Sequence, residues 1–337
     1  MVKELKVAVV GATGAVGQEM LRGLEERNFP ITKLKALAAP EEAGTLVRFR
    51  GEDHVVEAAA PESFEGCQIA LFAAGEVVRW LGPEAVKRGA VVVDNSNTFR
   101  MDPTVPLIVP EVNPEDVRNH QGIIANPNCS TIIMVVALKP LHDAARIKRV
   151  VVSTYQAVSG AGVAGLKELD VQTRQLLAEE KIKPEVFQHQ IGFNLIPHID
   201  VFEENGYTKE ELKMLYETRK IMHEPEMKVS ATAVRVPVFR SHSESINIET
   251  EKKLTAAEAR QILSRAPGII VQDDPGQNKY PMPVFTAHTD EVFVGRIRED
   301  LSIENGLNFW VAADQIRKGA AINTIQIAEI LVRENLV

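Results

Sequence analysis

The sequence predicts a two-domain α/β protein in which a doubly wound parallel sheet is joined to an α+β domain. Two observations carry this prediction. Up to Ala125, short apolar strands alternate with amphipathic helices, which is the pattern of a parallel sheet with crossover helices. Beyond Cys129 the strands become longer, as expected of a mostly antiparallel sheet. At 337 residues the chain is long enough for both domains to bury a core.

The first part of the chain contains the elements of the parallel sheet. We expect strands at Lys6–Val10, Leu34–Ala39, Gln68–Ala73 and Ala90–Val93, and helices at Gly14–Arg27 and Val77–Arg88. Pro83 falls inside the second helix and is expected to bend it. This part is the predicted dinucleotide-binding-type domain, with residues 1–128 and 313–337.

The second part, residues 129–312, contains the predicted α+β domain. Its expected strands are Arg149–Gln156, Val229–Phe239, Ser243–Thr250 and Glu291–Arg298, with helices near 164–179, 208–222 and 255–265. A hairpin is predicted around Phe239–Ser241. A long amphipathic helix from Ala312 to Glu334 closes the chain, and we expect it to pack back on the first domain.

Composition excludes several classes of function. The net charge is −8 and the pI is about 5.6, which argues against nucleic acid or an anionic membrane as a partner. Only two cysteines, Cys67 and Cys129, are present, so neither a disulfide framework nor a cysteine-based metal site is predicted. No apolar run reaches membrane-spanning length, and no signal peptide is recognised. We therefore expect a cytosolic protein without a metal.

Cys129 is the first candidate for chemistry. It follows the apolar run at 122–125 and precedes the apolar run at 132–138, so it is predicted to begin a buried helix directly after a strand. Unpaired N–H groups and the helix dipole favour a thiolate at that position. A thiolate attacks carbonyls, and Cys129 is therefore a candidate nucleophile. A lone buried cysteine is otherwise usually inert.

A glycine-rich turn follows the first strand. The segment Gly11-Ala12-Thr13-Gly14-Ala15-Val16-Gly17 is a G-x-x-G-x-x-G variant of the dinucleotide fingerprint and leads into a helix. Glycines there let backbone N–H groups approach a pyrophosphate. The second strand should end near the adenosine ribose, at Glu41 and Glu42. Acidic residues at this point favour the free 2′-hydroxyl of NAD over the 2′-phosphate of NADP.

Three segments together resemble the aspartate-β-semialdehyde dehydrogenase family. They are the glycine loop, the segment Asn126–Thr131 and the segment Tyr155–Gly162, and the resemblance extends from Lys6 to about Glu329. It implies reversible, NADP-linked conversion of L-aspartate 4-semialdehyde and phosphate to L-aspartyl 4-phosphate. It also implies a glyceraldehyde-phosphate-dehydrogenase-like fold, a homodimer or homotetramer, and a place in lysine, threonine, methionine, isoleucine and diaminopimelate synthesis.

The resemblance also implies roles for individual residues. Cys129 becomes the nucleophile, His242 the acid/base and Gln156 the residue that orients the intermediate. For the substrate and phosphate, the implied ligands are Arg235 for the α-carboxylate, Glu217 for the ammonium group, and Lys220, Arg100 and Asn128 for phosphate. For the cofactor, the implied positions are Gly11, Ala12, Thr13, Gly14, Ala15, Val16, Ser159, Gly160 and Gln315, with Glu41 at the ribose.

Two of these assignments depend on local structure. Arg235 lies seven residues before His242, a spacing that would place them on opposite faces of one straight strand. A hairpin turn between them would bring the two side chains across from each other. Glu217 and Lys220 are three residues apart on a predicted helix and therefore share a face.

One departure from the family pattern concerns the cofactor. The family commonly has an Arg-Ser pair where this chain has Glu41-Glu42, and that pair serves the 2′-phosphate. Carboxylates in its place would repel a phosphate, which suggests a relaxed or reversed preference toward NAD.

Two other functions fit parts of the sequence. An acyl-phosphate reductase of the N-acetyl-glutamyl-phosphate type would share the glycine loop, the cysteine and the histidine, but would not need an acidic residue for a free ammonium group. A catalytically inactive, nucleotide-binding paralogue is the other alternative. The joint presence of Cys129, Gln156, Arg235 and His242 argues against it.

Overall fold

The computed structural model of the chain describes residues 5–337. The strands are β1 (Lys6–Val10), β2 (Lys33–Ala38), β3 (Leu46–Phe49), β4 (Glu52–Val55), β5 (Glu57–Ala58), β6 (Ile69–Phe72), β7 (Val91–Asp94), β8 (Ile123–Ala125), β9 (Ile147–Gln156), β10 (Lys228–Arg235), β11 (His242–Thr250), β12 (Ile269–Val271), β13 (Val292–Glu299) and β14 (Gly306–Ala313). The helices are α1 (Ala15–Glu26), α2 (Val78–Lys87), α3 (Cys129–Ala145), α4 (Gly162–Leu177), α5 (Lys209–Ile221), α6 (Ala256–Leu263), α7 (Pro283–Thr286) and α8 (Ile322–Arg333).

The chain divides into two compact units. The first contains the residues up to Asn128 and those from Ala320 to Val337, and the second contains Cys129–Gly319. The boundary at 128/129 coincides with the predicted one. The return to the first unit comes at 319/320 rather than at 312/313, because residues 306–313 pair as a strand of the second unit.

The first unit has a parallel sheet in the order β5-β2-β1-β6-β7-β8. Counting only these six strands, the order is 3-2-1-4-5-6, which is the doubly wound dinucleotide-binding order. Strand β6 and, after Lys6, strand β1 are apolar and buried because helices cover parallel sheets on both faces. The strand order reverses between β1 and β6, so ligands are expected beyond the carboxyl end of β1, where the glycine loop begins.

Helix α8 packs with α1 in the first unit. Its apolar residues Ile322, Ile325 and Leu331 are fully buried in the same core as strand β1. Arg27 at the end of α1 forms a two-pronged ion pair with Glu329, with both distances 2.7 Å. The expectation that the closing helix returns to the first unit is confirmed. The predicted start at Ala312 is wrong, since a π-helical turn at Arg317–Ala321 precedes α8.

The second unit is built on a mixed sheet in the order β10-β9-β11-β14-β13-β12. Strand β9 pairs antiparallel with β11 and parallel with β10, so β9 lies between them. The predicted hairpin at Phe239–Ser241 is therefore wrong, because the connection from β10 to β11 crosses over β9. Helix α3 packs on this sheet, which explains why its residues from Ile132 to Leu138 are all buried.

Candidate active site

Helix α3 begins at Cys129, as the sequence predicts. The thiol is free of disulfides and half-buried, whereas Cys67 is buried among the apolar residues of the first unit. Gly319 lies directly against it. A Cβ atom at Gly319 would come within 2.9 Å of Cβ of Cys129, so only glycine fits there with the thiol in place. The N-terminus of α3 and the close contact with Gly319 together define the position of the Cys129 sulfur.

The residues just before Cys129 are held by a polar network within the first unit. Arg100 donates from Nε to the carbonyl oxygen of Asn126 over 2.9 Å and from Nη2 to that of Asn95 over 3.1 Å. Asn126 accepts a hydrogen bond from Asn323 of α8 over 2.7 Å. Arg100 and Asn128 are both largely buried, and their assignment as phosphate ligands stays a prediction.

Three strands of the second sheet place three polar side chains in one row. In the parallel pairing of β10 and β9, Arg235 stands opposite Gln156. On the other side of β9, the antiparallel register pairs Ser243 with Tyr155, and its next step brings His242 to Gln156. The three side chains are at most 6% exposed. Strand β9 therefore brings Arg235 and His242 to the two sides of Gln156. The predicted hairpin was expected to bring these two side chains close together.

Ala157, the residue after β9, holds the two outer members of this row. Its backbone N–H donates to Nδ1 of His242 over 3.0 Å, and its carbonyl oxygen accepts a hydrogen bond from Nη1 of Arg235 over 2.7 Å. Gly160 lies against both side chains, since a Cβ atom there would be 3.5 Å from Cε1 of His242 and 2.7 Å from Nη1 of Arg235. The imidazole and the guanidinium therefore have fixed orientations.

Burial and a neighbouring charge set the protonation of His242. The ring is fully buried, and burial followed by the positive charge of Arg235 lowers the pKa of His242 well below its usual value. Its Nε2 atom has no hydrogen-bond partner within residues 5–337. Burial also lowers the pKa of Arg235, while the negative charges of Glu210 and Cys129 oppose that shift. Arg235 thus interacts with the thiol, a carboxylate and the imidazole.

The carboxylate in contact with this row is Glu210, in the first turn of α5. Gln156 donates from Nε2 to Glu210 over 3.2 Å, and Lys213 approaches Glu210 at 3.1 Å and Asp200 at 2.8 Å. Burial disfavours the ammonium of Lys213, but Glu210 and Asp200 outweigh it and raise the pKa of Lys213. A capping box between Thr208 and Glu211 begins α5 and so stabilises this turn.

This geometry favours Glu210 and Lys213 over the predicted Glu217 and Lys220. They are seven residues beyond Glu210 and Lys213 on the same helix, which is about 10 Å along its axis at 1.5 Å per residue. The residue that the structure brings against Gln156 is Glu210. Both pairs have the same spacing, and the sequence alone cannot distinguish them.

Gln315 and Ser159 have structural contacts in the second unit. Gln315 accepts the backbone N–H of Ser241 over 2.9 Å and donates to the hydroxyl oxygen of Ser159. Ser241 has a φ of 76°, in the left-handed region that non-glycine residues rarely adopt, and directly precedes His242. Gln315 therefore helps to stabilise the turn that directly precedes His242. The backbone N–H groups of Ser159 and Gly160 donate to the carbonyl oxygens of Phe239 and Ala157, and the assignment of these two residues to the cofactor stays a prediction.

The glycine loop of the first unit fits a dinucleotide. A Cβ atom at Gly17 would lie 2.0 Å from the carbonyl oxygen of Gly11, so α1 can approach the loop only without a side chain. Gly14 caps α1 with no side-chain hydrogen bond, which leaves the first N–H groups of the helix for an anion. Gly11 and Ala12 donate their N–H groups to the carbonyl oxygen of Leu37 over 2.7 and 3.0 Å. The end of β2 is thereby fixed beside the loop.

The surface at the end of β2 is acidic. Glu41 and Glu42 form the exposed first turn of a short 3₁₀ helix at Pro40–Glu42. Glu57, also exposed, pairs with Leu37 at the edge of the sheet. The nearby Arg48 is paired with Asp53 at 2.9 Å. Carboxylates therefore surround the position at which a dinucleotide-binding fold receives the adenosine ribose.

No helix of residues 5–337 is both long and apolar enough to cross a bilayer. Among the same residues, no cluster of three His, Cys, Asp or Glu side chains is arranged to hold a metal ion.

Comparison with known proteins gives concordant matches over nearly the whole chain. Residues 6–120 match the family model of the semialdehyde dehydrogenase NAD-binding domain, and residues 138–318 match that of the semialdehyde dehydrogenase dimerisation domain. The chain is 58% identical to aspartate-semialdehyde dehydrogenase of Aquifex aeolicus, over 98% of this chain and 99% of the relative. It is 54% identical to the Bacillus subtilis protein of the same name, over the full length of both.

Solved structures extend the comparison. Aspartate semialdehyde dehydrogenase II of Vibrio cholerae in complex with ASA superposes with a TM-score of 0.96 at 46% identity, over 98% of this chain and 99% of that one. Aspartate semialdehyde dehydrogenase of Candida albicans with NADP superposes with a TM-score of 0.75 at 28% identity, over 99% of this chain and all of that one.

Proposed function

Because the chain belongs to the aspartate-semialdehyde dehydrogenase family, we propose that it oxidises L-aspartate 4-semialdehyde in the presence of phosphate through a thioester on Cys129. As a member of this family it is an NAD(P)-dependent oxidoreductase of amino-acid biosynthesis. The observation that carries the proposal is the row of Arg235, Gln156 and His242 on one sheet, with Arg235 interacting with the thiol that begins α3.

The substrate is bound by charge complementarity. The guanidinium of Arg235 suits the α-carboxylate of the amino acid, because a planar fork binds a carboxylate with two hydrogen bonds. Glu210, which interacts electrostatically with Arg235, is suited to the α-ammonium group. We assign to it the role that the family resemblance implies for Glu217. An N-acetylated substrate has no ammonium group, so Glu210 favours the free amino acid.

Phosphate is assigned to Lys213, in place of Lys220, with Arg100 and Asn128 as the further predicted ligands. Lys213 is held between Asp200 and Glu210, and its raised pKa keeps the ammonium charged. Gln156 orients the bound acyl group through its contact with Glu210.

The cofactor is a nicotinamide dinucleotide, held by the glycine loop and the start of α1, and it accepts a hydride when bound. We propose that NAD is accepted at least as well as NADP. The support is the carboxylates of Glu41, Glu42 and Glu57 at the ribose position, which would repel a 2′-phosphate. Gln315 as a cofactor ligand stays a prediction.

The oligomer that we propose is a homodimer through the outer face of the second sheet. This face carries Tyr155 and Trp310, whose rings are 5.3 Å apart. Both residues lie within residues 138–318, which match the dimerisation-domain model. Light scattering of the purified protein should give twice the 37.2 kDa chain mass. A cytosolic location stays a prediction.

The experiment that tests the activity measures reduced nicotinamide formed from L-aspartate 4-semialdehyde, with and without phosphate. Wild-type protein should require phosphate for turnover, and Cys129→Ser should lose it. N-Acetyl-glutamate semialdehyde is the control substrate, on which little activity is expected. Equal activity of Cys129→Ser and wild type would refute the thioester.

A further inference from the structure

The ammonium group of Lys213 lies between two carboxylates of the second unit. Its Nζ donates to Oδ2 of Asp200 over 2.8 Å and to Oε2 of Glu210 over 3.1 Å. Glu210 lies three residues earlier on α5, whereas Asp200 comes from the loop before that helix. An ammonium group carries three N–H donors. Among residues 5–337 only these two carboxylates accept from Lys213, so one N–H remains for a ligand.

The backbone holds Asp200 in place for this contact. Its φ is 68°, in the left-handed region that Asp and Asn enter more readily than other residues with a side chain. Its Oδ1 accepts the backbone N–H of Val201 over 2.9 Å, which leaves Oδ2 for Lys213. The carbonyl oxygen of Val201 accepts the N–H of Lys209, the first residue of α5, over 2.9 Å. The loop that carries Asp200 is therefore attached to the helix that carries Lys213.

Glu210 has several cationic or donor groups to serve. It accepts from Gln156 through Oε1 and from Lys213 through Oε2, and the α-ammonium group of the substrate is assigned to the same carboxylate. With Glu210 as the sole counter-ion of Lys213, two cations would compete for one carboxylate. Asp200 supplies a second negative charge and is the nearer of the two acids. Burial disfavours this charge, but the hydrogen bonds from Lys213 and Val201 outweigh burial and lower the pKa of Asp200.

We propose that Asp200 is a positioning residue for Lys213. It gives the ammonium group a counter-ion of its own, directs the remaining N–H at phosphate, and leaves Glu210 for the α-ammonium group of the substrate. This inference rests on the proposed function, in which Lys213 binds phosphate and Glu210 binds the substrate. As an anion Asp200 repels phosphate, so any benefit to phosphate binding comes through its contact with Lys213.

Two simpler roles of Asp200 lead to different kinetics. A residue that only attached the loop to α5 would, when replaced, lower stability without a selective effect on either KM. A residue that acted only through its charge would, when replaced, lower the KM for phosphate, because a repulsion disappears. Positioning of Lys213 requires the opposite sign, a higher KM for phosphate, together with a higher KM for the semialdehyde.

The first test is Asp200→Asn, which removes the charge but keeps an oxygen for Val201 and a side chain that tolerates the left-handed backbone. We expect the KM values for phosphate and for L-aspartate 4-semialdehyde to rise about five- to tenfold, the usual size for loss of a hydrogen bond to a charged group, with a much smaller change in kcat. Glu203→Gln is the matched control. It removes a charge from the same loop, where Glu203 lies 3.8 Å from Lys209, and should leave both KM values unchanged.

A fall in the KM for phosphate in Asp200→Asn, or no change in either KM, would overturn the positioning role. Thermal unfolding of the variant shows whether it is folded under the assay conditions. If Asp200→Asn does not fold, Asp200→Gly takes its place, because glycine adopts a φ of 68° without strain. The same increase in both KM values is expected there.

The second test is a double-mutant cycle with Lys213→Met. This substitution should raise the KM for phosphate but leave the KM for the semialdehyde close to wild type, because Glu210 loses a competing cation. In the double variant Asp200→Asn, Lys213→Met, both KM values should equal those of Lys213→Met alone. Additive effects of the two substitutions would show that Asp200 acts independently of Lys213 and would contradict the inference.

The same measurements separate this inference from the proposed function. Turnover of the wild type that does not depend on phosphate, or a wild-type KM for phosphate in Lys213→Met, would overturn the phosphate site and the inference with it. A normal phosphate response of the wild type and a raised KM in Lys213→Met, with unchanged KM values in Asp200→Asn, would overturn the role of Asp200 alone.

Discussion

The backbone N–H of Ala157 donates a hydrogen bond to Nδ1 of His242 over 3.0 Å, and the ring is fully buried behind it. The same residue accepts a hydrogen bond from Arg235 through its carbonyl oxygen. A single peptide unit after β9 therefore orients both the histidine and the arginine. Because these contacts are made by backbone atoms, they do not depend on the identity of the side chain at position 157.

Burial of His242 should make the fold sensitive to acid. The folded-state pKa of His242 is lowered, so the unfolded chain binds the proton more readily. Stability is then unaffected above the unfolded value of about 6.5 and falls as the pH drops below it. Urea denaturation at a series of pH values should show a weaker loss for His242→Gln than for wild type. Identical slopes would show that the ring is not neutral in the folded protein.

Glu244 should make the fold sensitive in the opposite direction. Its carboxyl oxygens are buried without partners among the described residues, and burial raises its pKa well above the usual value. The folded state then holds a proton that the unfolded state releases above about pH 4.3, so stability falls as the pH rises. Glu244→Gln should therefore be more stable than wild type at pH 8 and similar at pH 4.

Glu249 provides the matched control for that prediction. It is on the same strand but at the surface, where Lys148 at 2.8 Å lowers its pKa. Glu249→Gln should have little effect on the free energy of unfolding, because exposed ion pairs contribute little. A gain in stability at pH 8 in both variants would point to net charge rather than to burial of Glu244.

Gly319 should be essential for the position of Cys129. Gly319→Ala would place a methyl group 2.9 Å from Cβ of the cysteine, which must then shift. Misplacement of a reacting group by about 1 Å can cost about 100-fold in rate. We expect kcat and the rate of Cys129 alkylation to fall together. Gly276→Ala is the control, since its nearest atom is 3.5 Å away, and it should leave both rates unchanged.

Glu210 and Glu217 can be separated by steady-state kinetics. Glu210→Gln removes the carboxylate in contact with Gln156 and should raise the KM for the semialdehyde about tenfold or more, which is about 1.4 kcal/mol. Glu217→Gln, on the same helix, should change that KM much less. Thermal unfolding of both variants separates effects on folding from effects on binding. The reverse order of KM values would restore the sequence-based assignment.

Cofactor preference should respond to the charge at the end of β2. Isothermal titration of the wild type with NAD⁺ and NADP⁺ should show NAD⁺ bound at least as tightly. Replacing Glu41 by Arg and Glu42 by Ser should shift the ratio toward NADP⁺ about tenfold or more, because repulsion of the 2′-phosphate becomes attraction. Substitution of Glu52 by Gln, on the β3–β4 hairpin, controls for net charge. A wild type that strongly favours NADP⁺ would refute the preference.

Much of the fold could be predicted because it depends on local patterns. The alternation of apolar strands and amphipathic helices predicts the parallel sheet, and the glycine spacing predicts the turn into α1. The start of α3 at Cys129 follows from an apolar run after a turn. The strand Gly306–Ala313 was not predicted, because the closing helix was expected to begin at Ala312. In the structure the strand continues to Ala313, and the polar residues of segment 314–318 separate it from α8.

The sequence by itself determined the elements, the glycine loop and the chemical types of the site: thiol, imidazole, guanidinium and amide. Only the tertiary structure decided which strand lies between Arg235 and His242 and which acid of α5 contacts Gln156. Strand order depends on pairing between distant segments, and equivalent spacings along a helix look alike until a partner is packed against one of them. For the same reason, the orientation of the His242 ring depends on the backbone of Ala157, which no side-chain pattern records.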